Sequence, residues 1–206
     1  MLRFVVQGFL LMSLTRSLLL LVFLLVLSAC ASTPRGPGAT SSGISSSLAL
    51  CSGTIISNAP PIDGRRNIIG YDPLTNIRGV AIYRAPVASC VSSGFGPRRG
   101  GAGSFHHGVD LYTRAPSTVY AGAEGRIESV GSIRGYGKTI VIAHSSGIKT
   151  RYAHLSEFVR GLRRGDRVAR GTVIGRTGKT GNATAVHLHY EIIIDGKPHN
   201  PLIVGR

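Results

Sequence analysis

Reactive side chains in this sequence concentrate in its histidines. Of seven histidines, five fall in three compact clusters. These are Phe105-His106-His107-Gly108-Val109-Asp110-Leu111, Arg151-Tyr152-Ala153-His154-Leu155-Ser156 and Val186-His187-Leu188-His189-Tyr190-Glu191. A catalytic zinc takes three nitrogen or oxygen ligands from the protein and keeps a fourth position for water. In a strand, residues i and i+2 share a face. His187 and His189 therefore project together, while Val186, Leu188 and Tyr190 turn the other way into packing. Glu191 shares the histidine face, where a carboxylate can orient an imidazole. The doublet alone leaves two readings open: a metal or catalytic site, or two core histidines that each satisfy one hydrogen bond. His107 would point away from His106 in an alternating strand. His144 and His199 read as surface or structural residues.

The elements that must hold these clusters read as strands. Aromatic content is 6%, Trp is absent and Gly reaches 28 residues, which favours short strands and tight turns over a helical bundle. Residues 80–83 suggest a strand leading into the main domain. Beyond residue 85, β-prone runs cover residues 117–120, 126–130, 139–143, 149–152, 172–174 and 185–194, separated by glycine-containing turns. The fold class expected is all-β, with a largely antiparallel sheet. Residues 156–162 are expected to form one short helical turn. No internal repeat is present.

The N-terminus sets the compartment. Arg16 precedes an unbroken apolar run, residues 18–27, followed by Ser28-Ala29-Cys30. The run is shorter than the ~20 residues of a spanning helix and fits a signal-peptide core. Leu27-Ser28-Ala29-Cys30 resembles the lipobox of bacterial lipoproteins, in which the cysteine is lipidated; the alternative is an uncleaved membrane anchor. Met12 gives a tidier signal than Met1. Ala31 after the cysteine resembles lipoproteins sorted to the outer membrane, so the expected location is its periplasmic side. Residues 1–29 are thus a signal peptide. Residues 30–47 are the lipidated cysteine and a flexible linker of small and polar residues, spanning about 20–25 Å as a coil. Residues 48–84 are a mixed N-terminal extension.

Charge and cysteines acquire meaning from that compartment. Lys and Arg number 24 against 9 Asp and Glu, a net charge of +15 that implies a polyanionic partner. An exported protein does not meet chromosomal DNA, and no basic–aromatic interleaving builds a base-stacking platform, so nucleic acid is excluded. Anionic lipid head groups and the carboxylates of cell-wall stem peptides remain, and Arg160, Arg163, Arg164, Arg167 and Arg170 crowd into one segment. With Cys30 lipidated, Cys51 and Cys90 form an even pair in an oxidising space. A bridge between them is favoured over two buried thiols.

Residues 93–201 resemble the lysostaphin-type, LytM-like zinc endopeptidases. The matching stretches are Ser93-Gly94-Phe95-Gly96-Pro97-Arg98, His106-His107-Gly108-Val109-Asp110, Val119-Tyr120-Ala121, Gly125, Gly135-Tyr136-Gly137 and Tyr152-Ala153-His154-Leu155-Ser156. They continue through Gly171-Thr172-Val173-Ile174-Gly175, Gly178-Lys179-Thr180-Gly181, His187-Leu188-His189-Tyr190-Glu191 and Asn200-Pro201. The resemblance implies that residues 85–206 are a metallopeptidase domain with Zn2+ in a groove. It implies His106, Asp110 and His189 as metal ligands, and His154 and His187 as non-ligand histidines that assist catalysis. Where the family commonly has Gly-Pro before His-Leu-His, Ala185-Val186 stands here, and the glycine-rich residues 99–104 lack a proline often found there. The implied function is a zinc-dependent endopeptidase that hydrolyses peptide cross-links of peptidoglycan for cell-wall remodelling or division. The alternative is a non-enzymatic lipoprotein that activates a peptidoglycan amidase, as some relatives do after losing site residues. Partners expected are stem peptides, a membrane through the lipid anchor, and amidases or division proteins.

Overall fold

The computed structural model describes residues 43–56, 59–98 and 105–205. The stretch read as a signal peptide, the Cys30 read as lipidated, most of the segment read as a linker and the glycine-rich residues 99–104 lie outside the described residues. Among the described residues there are strands, bridges and turns and no helix.

In chain order the strands are β1 (Leu74–Ile77), β2 (Val80–Tyr83), β3 (Cys90–Ser93), β4 (Gly96–Pro97) and β5 (Phe105–His106). Next come β6 (Val109–Tyr112), β7 (Thr118–Tyr120), β8 (Gly125–Ile133), β9 (Gly137–Ala143) and β10 (Ile148–Leu155). The last are β11 (Glu157–Phe158), β12 (Arg167–Val168), β13 (Val173–Arg176), β14 (His187–Ile194) and β15 (Lys197–His199). An eight-stranded sheet runs β12-β8-β9-β10-β14-β6-β3, with β15 also on β14. A three-stranded sheet, β11-β13-β7, and the pairs β1-β2 and β4-β5 complete the fold. Every strand pair is antiparallel. The all-β, largely antiparallel expectation holds.

Alternation along the long strands builds the core. Leu188, Tyr190 and Ile192 of β14, Ile140 and Ile142 of β9, and Ile148 and Tyr152 of β10 are fully or almost fully buried. They share one apolar cluster with Val119 of β7 and Ile174 of β13. The opposite face of β14 is left to His187, His189 and Glu191.

The expected helical turn at residues 156–162 is instead β11 followed by a tight turn. Glu157 and Phe158 pair with Arg176 and Gly175 of β13, and Val159 N–H donates to the Ile174 carbonyl at 3.0 Å. Gly161 then turns the chain at φ 84°, a backbone that only glycine adopts without cost. Pairing with β13 satisfies the backbone groups that a single isolated helical turn would leave open.

The stretch read as an N-terminal extension enters the same core. Leu48, Leu50, Ile68, Ile77 and Ile82 belong to the common apolar cluster. Residues 49–51 run parallel to β3: Val91 N–H donates to Ala49 and Cys51 N–H donates to Val91, each at 2.9 Å. A Cys51–Cys90 disulfide fastens this contact. Closing a loop of 39 residues contributes about 4 kcal/mol on the chain-entropy account.

Candidate metal centre

Three adjacent strands of the large sheet bring the histidine clusters together. Asp110 of β6 lies directly opposite His189 of β14, and Ala153 of β10 lies opposite His189 on the other side. His106 comes from β5, opposite Gly96. The chain passes from His106 to Asp110 over Gly108, where a Cβ would come within 2.3 Å of the Tyr190 carbonyl oxygen. Glycine is what lets that crossing sit flat on β14.

His106 Nε2, Asp110 Oδ1 and His189 Nδ1 converge. The separations are 3.1 Å from His106 to Asp110, 2.9 Å from His189 to Asp110 and 3.0 Å between the two imidazoles. The outer nitrogens are already committed. His106 Nδ1 donates to the Gly94 carbonyl at 2.6 Å, and His189 Nε2 donates to Glu191 Oε1 at 3.0 Å. A carbonyl or a carboxylate only accepts, so the protons sit on those outer nitrogens and the inner ones offer lone pairs. Two lone pairs and a carboxylate therefore face a common point, an arrangement that calls for a cation.

The acid–base balance agrees. Burial raises Asp110, yet hydrogen bonding with His106 and His189 outweighs it and holds the carboxyl well below the usual carboxylate range. Burial lowers His189, yet Asp110 and Glu191 outweigh it and raise the imidazole. Both directions mean that positive charge is favoured at the centre of the cluster. Two imidazoles and one carboxylate are a donor set that suits zinc.

His154 and His187 flank this point with ring centroids 4.8 Å apart. His154 Nδ1 donates to the Thr180 carbonyl at 2.8 Å and His187 Nδ1 to the Ala185 carbonyl at 2.9 Å. Each therefore keeps a free lone pair on Nε2. His187 Nε2 stands 3.7 Å from Asp110 Oδ1. Burial pushes His154 down to about 4, so it stays neutral near pH 7. His154 also holds φ at 60°, a strained conformation for a side chain with a Cβ, at an irregularity in the β9–β10 register between Tyr152 and Leu155. Its backbone N–H is held by the Tyr136 carbonyl at 2.9 Å.

Glu191 orients an imidazole as its place on the histidine face suggested, and Tyr136, Arg151, Arg98 and Ser93, which had no role in the sequence reading, hold these groups in place. Glu191, 1% exposed, accepts from Tyr136 Oη at 2.9 Å and pairs with Arg151 at 2.7 Å. Burial raises this carboxyl, but the His189 hydrogen bond and the Arg151 charge outweigh it and keep Glu191 ionised. The Arg151 guanidinium lies 4.7 Å from the centroid of the Tyr136 ring. Arg98 donates to Asp110 Oδ2 and to Ser93 Oγ, each at 3.1 Å, so the second carboxylate oxygen is held away from the imidazoles. Arg151 was findable as the residue opposite Glu191 once the β10–β14 register is known. The carbonyls of Gly94, Thr180 and Ala185 leave no sequence signal.

The other histidines lie elsewhere. His107 is exposed and packs against Phe105. His144 bonds the Glu124 carbonyl and Thr150 Oγ1, and His199 is exposed on β15.

Comparison with known proteins places this geometry in a family. Residues 104–201 match the model of peptidase family M23. The peptidoglycan DD-endopeptidase ShyA of Vibrio cholerae is 36% identical over 128 residues, covering 59% of this chain and 29% of its own length. The chain spans less than a third of the curated relatives it matches. A zinc-containing peptidase from Vibrio cholerae is similar in structure, with 32% identity, a TM-score of 0.55, and 60% of this chain and 40% of that chain covered. The catalytic domain of the antimicrobial peptidase lysostaphin from Staphylococcus simulans shows 31% identity and a TM-score of 0.51. That match covers 55% of this chain and 89% of the lysostaphin domain. With its histidine clusters inside the matched sequence and its strands matched in space, residues 104–201 are a domain of peptidase family M23.

Proposed function

We propose that this protein is a zinc-dependent endopeptidase that hydrolyses peptide cross-links of peptidoglycan. The observation that carries the reading is the convergence of two imidazole lone pairs and a carboxylate oxygen, all within 4.8 Å, beside two further imidazoles with free Nε2 lone pairs. The names of ShyA and of the zinc-containing Vibrio peptidase support the substrate and the metal. His106, Asp110 and His189 would hold the zinc. When bound, zinc acts as a Lewis acid that lowers the pKa of water and polarises a carbonyl.

The chain's own groups divide the proton work. His154, neutral and anchored through Nδ1, takes the proton of the attacking water on Nε2 and returns it to the amide nitrogen that leaves. His187, with Nε2 3.7 Å from Asp110 Oδ1, stands beside the oxygen that gains charge as water adds to the peptide carbonyl and assists there. Arg98, Arg151, Tyr136 and Glu191 keep Asp110 and His189 in register and move no protons. Lipidation of Cys30, residence on the periplasmic side of the outer membrane, and the division into signal peptide, linker, extension and peptidase domain belong to the same proposal. They rest on residues 1–47 and the resemblance.

The test is digestion of purified sacculi by the zinc-loaded protein from Ala31 onward, with products identified by mass. Conversion of cross-linked muropeptides to monomers, abolished by a chelator and restored by zinc, is the expected outcome. Intact cross-links despite stoichiometric zinc would overturn the enzyme reading in favour of an amidase activator.

A further inference from the structure

A groove of about 870 Å³ lies between β2, the start of β8, the end of β9 and β12. The strand register puts it at the far end of the sheet from the metal centre, although His144 also lines it. Lys138, beside Gly137 at the start of β9, pairs with Leu155 next to His154, whereas Ala143 at the end of β9 pairs with Arg126. The seven residues of β9 separate the two ends by about 20 Å.

Arg126, Arg167 and Arg170 line this groove, with Glu124 as its one acidic side chain. Arg126 and Arg167 stand directly opposite each other across β8 and β12, and both are exposed. Like charges facing across a strand pair destabilise it. Arg126 hydrogen-bonds the Gly165 carbonyl, and the Arg170 guanidinium sits 5.7 Å from the Tyr83 ring centroid. Both are therefore held at the groove rather than free in solvent. Arg160, Arg163 and Arg164 are exposed on the adjoining loop, and in this loop Asp166 pairs only with Arg163 among the described residues. The cations of residues 160–170 are all arginine, the side chain whose planar fork takes carboxylates two bonds at a time.

We infer that this groove is a second binding site, distinct from the histidine cluster, for the carboxylates of peptidoglycan stem peptides. Resting on the reading of peptidoglycan as substrate, it adds a holding site on the same polymer about 20 Å from the bond that is cut. The groove's concave form suits an extended polymer strand more than a bilayer surface, and its arginine pair relieves its own repulsion when an anion lies between the two guanidinium groups.

The test compares the zinc-loaded, unlipidated protein from Ala31 onward with an Arg164→Glu/Arg167→Glu/Arg170→Glu variant and with a milder Arg167→Gln/Arg170→Gln variant. Three quantities are read: co-sedimentation with sacculi across a salt series, binding to phosphatidylglycerol vesicles, and turnover of a soluble cross-linked muropeptide dimer. Sacculus affinity should fall on the order of tenfold in the charge-reversal variant, with a shallower salt dependence and a higher KM on sacculi. Dimer turnover should be unchanged, which also reports an intact fold. Unchanged sacculus affinity in both variants overturns the second site. So does an arginine-dependent affinity for vesicles with none for sacculi. Failure of dimer turnover in the parent protein would sink the enzyme reading alone, since sacculus binding is read separately.

Discussion

At the Gly137 end of β9 the ionisable groups are buried and individually fastened. Four imidazoles each have one nitrogen committed to a fixed acceptor, and Glu191 is 1% exposed. At the Ala143 end the charges are mostly exposed arginines, with Glu124 the one acid lining the groove, and Arg126 and Arg167 repel each other across a strand pair. One sheet thus carries two kinds of electrostatics. Where water is excluded, a single misplaced proton matters and each atom must have a partner. Where water and salt reach the charges, each one contributes little and the group acts by its sum.

Removing a buried donor should have the largest effect. His106→Ala is expected to lose zinc by elemental analysis and all turnover with it. His154→Ala should keep zinc and lose turnover by about 10²–10⁴-fold, the usual worth of a general base. Metal loss in the His154 variant would show that the two roles are exchanged. One layer further out, Arg151→Met and Glu191→Gln leave the three converging atoms in place but release His189. Zinc affinity, measured by competition with a chelator, should weaken about 10–100-fold in each. An unchanged affinity would make the buried network a packing feature only.

Acidity should produce the smallest change. An ordinary histidine, with a pKa of about 6.5, is about 90% protonated at pH 5.5. Burial holds His154 at about 4, so the imidazole remains a base there. With zinc in excess, dimer turnover at pH 5.5 should stay above about half its value at pH 7. A decline that follows a pKa of 6.5 would contradict the buried-base assignment.

The sequence made the metal end more readable than its supports. Alternation placed His187, His189 and Glu191 on one face because a two-residue period needs no knowledge of neighbours. The convergence of His106 and Asp110 with His189 needed the resemblance, because Asp110 and His189 are 79 residues apart. Arg151 and Glu191 are 40 residues apart, and their pairing depends on a register that no local pattern encodes. Short strands such as β4, β5 and β12 carry too few residues for a periodic signal. Residues 156–162 invited a helical reading because their apolar side chains have no strand-like alternation. Their partner, β13, decided the matter from outside.

The parallel contact of residues 49–51 with β3 has a consequence for solubility. The outermost strand of a large sheet exposes unpaired amides and carbonyls that another molecule can extend, the usual beginning of ordered aggregation. Here that strand already has a companion, tied to it by the Cys51–Cys90 bond. The bond thus does more than shorten a loop: it keeps a capping strand on the rim of the sheet, and its reduction would uncover a template for self-assembly on the same strand whose Ser93 lies beside His106.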